Sequence, residues 1–234
     1  MLDFKGQALL VVGGSSGIGL ATARLAHEMG ANVTIASRSK DRLESAAGKL
    51  GVASQVLDVT QDVAVEAYLA QATWDHIIVT GSDVKMAAVR TLPMQDAMAA
   101  VDSKFWGFYR VARAAQIRPG GSLSVVAGFL ATRPAAGRAL MGAINAGLEN
   151  LVRGLALELK PARVNAVSPA VVDTEMWHGM APDARQTMLD SMAGKYPAGC
   201  VGQPNDIARL LLLLAATPYA TGTVVTMDGG ASLV

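Results

Sequence analysis

The residues Gly13-Gly14-Ser15-Ser16-Gly17-Ile18-Gly19 lie between a short apolar run, Ala8–Val12, and a stretch of helical period from Gly17 to Met29. Glycine is a poor choice inside either kind of element, because it loses more backbone entropy on ordering than any other residue. It suits a tight turn from a strand into a helix, where positive φ and close backbone approach are both required. An opening of this kind constrains the rest of the fold. The chain starts a βαβ unit, so the next strand returns parallel to the first through a helical crossover.

The remaining sequence repeats that alternation. Further strands are expected at Val33–Ala36, Ser54–Leu57, His76–Val79, Ser122–Val126, Arg163–Val167 and Thr223–Thr226. They read as continuous apolar runs, the pattern of strands covered by helices on both faces. Helical periodicity marks Asp41–Lys49, Asp62–Gln71, Met94–Ile117, Arg138–Lys160 and Pro204–Ala215, with Gln203-Pro204-Asn205-Asp206 as the start of the last helix. There is no internal repeat, low-complexity tract or linker, so residues 1–234 are read as a single α/β domain. Residues 173–202 hold Trp177, His178 and several methionines among Gly and Pro, and read as an excursion from the carboxyl edge of the sheet that covers a ligand crevice.

Charge gives no reason to expect nucleic acid or an anionic membrane as partner, since 20 basic residues face 19 acidic ones. Only 17% of the residues are charged and the mean hydropathy is +0.33. Either another subunit covers part of this surface, or the value reflects an Ala- and Gly-rich composition. The single cysteine, Cys200, excludes an internal disulfide, offers no metal cluster and reads as a buried or part-buried spectator. Met1 to Gly6 leads directly into a strand, and the longest apolar run, Leu210–Ala216, is far short of the ~20 residues that span a bilayer. The expectation is a cytoplasmic protein.

The glycine turn places backbone N–H groups of Gly13, Ser15, Ser16, Gly17, Ile18 and Gly19 at a helix N-terminus, where they suit the pyrophosphate of a dinucleotide. The second strand ends Ala36-Ser37-Arg38, without the acidic residue that would accept from the ribose 2′-hydroxyl of NAD. Ser37 can donate a hydrogen bond and Arg38 can pair with a 2′-phosphate, which favours NADP(H) over NAD(H). The other reading of Arg38 is a solvated charge beside Lys40 and Arg42. Asp58, followed by Val59 at the crevice edge, either accepts from the adenine amino group or caps the helix that follows.

These residues carry a family resemblance. Over essentially its whole length the chain resembles the short-chain dehydrogenase/reductases, through the glycine turn, Asp58, Glu158-Leu159 leading into Arg163-Val164-Asn165-Ala166-Val167-Ser168-Pro169, and the closing Met227-Asp228-Gly229-Gly230. The resemblance implies a Rossmann-type fold, a doubly wound parallel sheet of about seven strands in three α/β/α layers. It implies oxidoreductase chemistry and a homotetramer or homodimer built on the long helix from Arg138 to Lys160, whose Ala143, Ala146, Gly147 and Gly154 allow close approach of a symmetry mate. It also implies that Val172 contacts the nicotinamide carboxamide through its backbone and that Thr174 reaches the pyrophosphate. Ala170 stands where a glycine is usual.

The departures fall on the chemistry. The family's catalytic tyrosine exchanges the substrate proton, a lysine four residues later lowers that tyrosine's pKa, a serine polarises the carbonyl, and an asparagine supports a proton-relay water. Aligned on Ala146-Gly147-Leu148-Glu149, this chain has Met141 for the tyrosine, Asn145 for the lysine and Gly128 for the serine, while Val101-Asp102 puts Asp102 at the asparagine. After the fourth strand, Val79-Thr80-Gly81-Ser82 replaces the usual Asn-Asn-Ala-Gly. No tyrosine lies within thirty residues of Asn145 and no lysine lies between Lys104 and Lys160, so a shift of register does not restore the motif. Met141 has no titratable proton and Asn145 no charge, and a positioned general acid is worth about 10²–10⁴ in rate. Asn145 can still hydrogen-bond a ribose hydroxyl.

Candidate substitute groups are Arg133 and Arg138 beside the substrate region, otherwise two solvent-facing arginines; His178 in the excursion, otherwise structural; and Asp102 as a base if desolvated, otherwise paired with Lys104 or Arg138. Met141, Met176, Met180, Met188 and Met192 form either an apolar pocket or core filler. Two functions stay open. One is an NADP(H)-binding protein whose usual carbonyl/alcohol hydride transfer is lost or strongly altered. The other is an active NADP-dependent oxidoreductase using relocated acid/base residues on a small apolar carbonyl or alcohol.

Overall fold

A computed structural model describes residues 2–81 and 84–234. Seven strands, β1 Ala8–Val12, β2 Asn32–Ser37, β3 Ala53–Val56, β4 Trp74–Val79, β5 Ile117–Val126, β6 Arg163–Pro169 and β7 Val224–Met227, form one sheet in the order β3-β2-β1-β4-β5-β6-β7. Every neighbouring pair is parallel. The chain moves outward from β1 through β2 to β3 and then crosses back to place β4 on the other side of β1. That reversal opens a crevice outside the carboxyl ends of β1 and β4.

The apolar runs feed two cores. Along β1, Leu10 and Val12 enter one buried cluster with Ile77, Val79, Leu123, Val125 and Leu148. The alternating Leu9 and Val11 enter a second with Ile35, Ile78, Val126 and Leu211. Strand side chains alternate in direction, so a run that is apolar at every position fills the layer on each face. Helices α1 Gly17–Glu28, α2 Lys40–Leu50 and α8 Pro204–Ala216 contribute to the second cluster, while α3 Asp62–Leu69, α4 Met94–Val101, α5 Gly107–Ala114 and α6 Ala139–Glu158 contribute to the first. Helix α8 begins as expected, with Pro204 in its first turn and the Gln203 N–H donating to Asp206 Oδ2 at 2.9 Å.

Three expectations change. The helix expected over Met94–Ile117 is interrupted by a π-helical turn at Asp102–Trp106 and stops at Ala114. Ile117 begins β5, because Pro119-Gly120-Gly121 cannot continue a helix and Gly120 takes φ +81°. The excursion carries regular structure, a 3₁₀ turn at Glu175–Trp177 and helix α7 Pro182–Ala193, in which Leu189 is the buried residue. Its start had a legible signal, Pro182 in the first turn followed by Asp183. Cys200 is exposed, since it follows a glycine turn where the excursion returns to α8. Ser82, part of the altered segment after β4, lies outside the described residues. No described helix is long and apolar enough to cross a membrane.

Candidate active site

The crevice begins where the carboxyl ends of β1 and β4 meet. Gly13 has φ +86°, and a Cβ there would lie 2.3 Å from the Gly81 backbone nitrogen, so only glycine permits this approach. A cleft of about 440 Å³ opens above it. Apart from Asn145 and Val172, every predicted nucleotide contact lines this cleft, from the turn Gly13, Ser15, Ser16, Gly17, Ile18 and Gly19 through Ser37, Arg38, Asp58 and Val59 to Thr174.

Several details suit a dinucleotide. Ser37 Oγ is buried and has no hydrogen-bond partner among the described residues, and it sits at the end of β2 beside Arg38. A hydroxyl left this way is costly unless a ligand satisfies it. The Asp58 Oδ1 accepts from the Thr60 N–H at 3.0 Å and from the Thr60 hydroxyl at 2.9 Å. Asp58 thus closes a turn at the cleft edge, while the residue capping α3 is Gln61. Thr174 packs against Gly17 from the excursion side. Val172 is buried, and its carbonyl accepts from the Trp177 indole at 2.9 Å.

The centre beside the nucleotide cleft differs from the sequence expectation in one essential respect. Asp102 is not a desolvated base. Its carboxylate pairs with Arg110 at 2.7 Å, Arg110 also holds Asp62, and the Asp102 side chain is 39% exposed. The residue directed inward is Lys104, whose Nζ donates to the Ala127 carbonyl at 3.1 Å and lies 3.8 Å from Met141 Sδ. Burial lowers the Lys104 pKa from 10.5 to about 8. Sequence reasoning missed it, although a signal was present. With Ala100, Phe108 and Val111, all buried, Lys104 follows the apolar helical period.

Met141 and Asn145 occupy one face of α6, and both are buried. The Asn145 amide fills space left by the missing side chain of Gly128, where a Cβ would lie 2.7 Å from Nδ2. Its Oδ1 is buried without a partner among the described residues, and Asn145 does not line the cleft. His178 is exposed and lines an adjoining cavity of about 610 Å³ with Arg24, Lys49 and Arg185, which meets the nucleotide cleft at Gly17, Thr174 and Glu175. Arg133 is exposed and Arg138 half-buried ahead of α6. Of the methionines, Met141 reaches the centre and Met176 the nucleotide cleft, where it is 62% exposed.

Comparison with known proteins agrees with this geometry. The family model described as enoyl-(acyl carrier protein) reductase matches residues 12–232. Among curated relatives, the short-chain dehydrogenase/reductase ATR9 of Stachybotrys chlorohalonatus is 31% identical over 256 aligned positions that cover all of both chains. Among solved structures, a small-chain dehydrogenase in complex with NADPH is 34% identical, with a TM-score of 0.86 over 98% of this chain and 100% of that one. The MalC reductase/Diels-Alderase from Malbranchea aurantiaca is 27% identical, with a TM-score of 0.92 over 99% of this chain and 98% of that one. The chain belongs to the short-chain dehydrogenase/reductase family of oxidoreductases.

Proposed function

We propose that this chain is an NADP(H)-binding member of its family in which the usual carbonyl/alcohol hydride transfer through a tyrosine and a lysine is lost or strongly altered. One juxtaposition carries the reading. The glycine turn, the unpartnered Ser37 hydroxyl and Arg38 share one cleft, while a thioether and a carboxamide fill the positions of the tyrosine and lysine. When bound, the nicotinamide group supplies or accepts the two electrons of a carbonyl–alcohol interconversion. The chain's own part is to hold the pyrophosphate on the backbone of residues 13–19 and the adenosine end on Ser37 and Arg38.

NADP(H) is favoured over NAD(H) because a guanidinium at the end of β2 attracts a 2′-phosphate, and the sequence there, Ser37-Arg38, lacks the acidic residue that would accept from the ribose hydroxyl of NAD. NADPH and NADH titrations followed by nucleotide fluorescence or a melting shift test this. NADPH is expected to bind the more tightly, and Arg38→Ala to weaken NADPH at least tenfold while leaving NADH nearly unchanged. No response to either nucleotide at millimolar concentration contradicts the reading.

The second reading, an active oxidoreductase acting on a small apolar carbonyl or alcohol through a relocated group, gains support from the inward position of Lys104. Homo-oligomerisation is part of the same proposal, and the surface of α6 supplies its argument below.

A further inference from the structure

Lys104 is an expensive residue to place here. An ammonium has three N–H donors, and among the described residues its partners are one carbonyl, Ala127, and one weak sulfur acceptor, Met141. The carboxylates on its own and the adjoining elements are committed elsewhere. Asp102 on its own helix pairs with Arg110, Glu149 on α6 accepts from Ser168 at 2.8 Å, and Asp58 at the cleft edge accepts from Thr60. A desolvated cation without a counterion costs more than an apolar side chain of the same shape, so packing alone does not explain it.

Its surroundings suggest a task. Ala127 directly follows β5, at the carboxyl edge of the sheet where ligands bind in open α/β folds. The preceding residue, Ser103, lines the nucleotide cleft, and Lys104 itself is half-buried rather than sealed in the core. It belongs to the π-helical turn Asp102–Trp106, an irregularity often found at functional sites.

We infer that Lys104 Nζ touches the oxygen of a carbonyl substrate beside Met141 and exchanges the proton that the missing tyrosine would have exchanged. The inference rests on the nucleotide reading above. In the reducing direction, the carbonyl carbon gains a hydride, one proton with two electrons, so that a C–H bond forms there as one breaks on the reduced nicotinamide dinucleotide, which is left oxidised. The C=O π bond breaks, an N–H bond of Lys104 breaks, and the new O–H bond forms. Lys104 is left as a neutral amine and regains its proton from solvent. In the oxidising direction the neutral amine takes the alcohol proton. A positive charge at this point favours an uncharged or anionic carbonyl compound and disfavours an iminium cation. The lowered pKa leaves a group able both to give and to take a proton near neutrality.

The test compares the wild type with Lys104→Met and Lys104→Arg. NADPH affinity is expected to stay within about threefold in Lys104→Met, while turnover of a panel of small apolar ketones falls by ~10²–10⁴. Lys104→Arg keeps the charge but not the releasable proton, and is expected to bind the nucleotide and turn over slowly. A readout independent of turnover is the urea midpoint of wild type minus that of Lys104→Met, which should rise between pH 8 and pH 10 as the folded lysine loses its proton. If NADPH binds but no ketone is reduced, if Lys104→Met keeps its rate, or if the midpoint difference is flat across that range, the assignment of Lys104 falls alone. If neither nucleotide binds, the underlying nucleotide reading falls and takes this one with it.

Discussion

Gly128 and Asn145 act as a pair although they lie seventeen positions apart in the sequence. The amide occupies the space a Cβ at Gly128 would need, and Asn145 is only 2% exposed, so it has little room to retreat. Gly128→Ala should destabilise the fold by about 1–3 kcal/mol, the usual cost of overpacking. In an Asn145→Ala background the same substitution should cost little. A double-mutant cycle by urea denaturation measures the coupling, expected at about 0.5–3 kcal/mol, and simple additivity would refute the contact. Placing a serine at Gly128 therefore requires Asn145 to change with it. Neither sequence position announced this, because the fit depends on how closely α6 lies against the end of β5.

Among the elements, β4 is tied to its neighbours by a buried histidine. His76 Nδ1 pairs with the Ser122 hydroxyl on β5 at 2.9 Å, and Nε2 pairs with Gln7 Oε1, just before β1, at 2.8 Å. Burial first, then the charge of Arg163, lowers its pKa from 6.5 to about 4, against an opposing contribution from Asp75. The unfolded chain takes up this proton more readily than the folded one. The stability due to neutral His76 is thus complete above pH 6.5 and is lost as pH falls towards 4. The gap corresponds to at most ~3 kcal/mol. Wild-type stability should decline over that interval, and His76→Gln should show a shallower decline; parallel curves would contradict the assignment. The strands themselves were legible, since their apolar runs report burial on both faces. The interruption within the helix expected over Met94–Ile117 was not. A π-helical turn leaves the local composition helical while changing which side chains face inward.

For the whole molecule, the outer face of α6 argues for assembly. Ala143, Ala146, Asn150, Arg153 and Leu157 are exposed at helical spacing, with Leu157 70% accessible, and Met98, Trp106 and Tyr109 add exposed apolar surface on the neighbouring segment. Gly147, expected to admit a symmetry mate, instead admits Phe105 of the same chain, whose ring would lie 3.2 Å from a Cβ there. Gly154 faces open space. A dimer or tetramer is expected by light scattering, and Ala146→Glu should shift it towards monomer without lowering NADPH affinity more than about threefold. A monomeric wild type would contradict this.

The sequence by itself determined the class of fold and the turn at its nucleotide end. Both follow from local chemistry: runs that are apolar at every position require a sheet covered on two faces, and the glycines at residues 13–19 serve a strand-to-helix turn. It also carried the expectation that Met141 and Asn145 stand where the family has a tyrosine and a lysine, which is a matter of residue identity. The helical period that Lys104 shares with Ala100, Phe108 and Val111 pointed it inward, but only the tertiary structure supplied the partners that settle which charged group enters the centre. Asp102 and Lys104 are two positions apart, and the choice between them depends on the phase of a π-helical turn, on Arg110 engaging one, and on Ala127 and Met141 receiving the other. Those partners come from remote parts of the chain, and no local pattern around Lys104 specifies them.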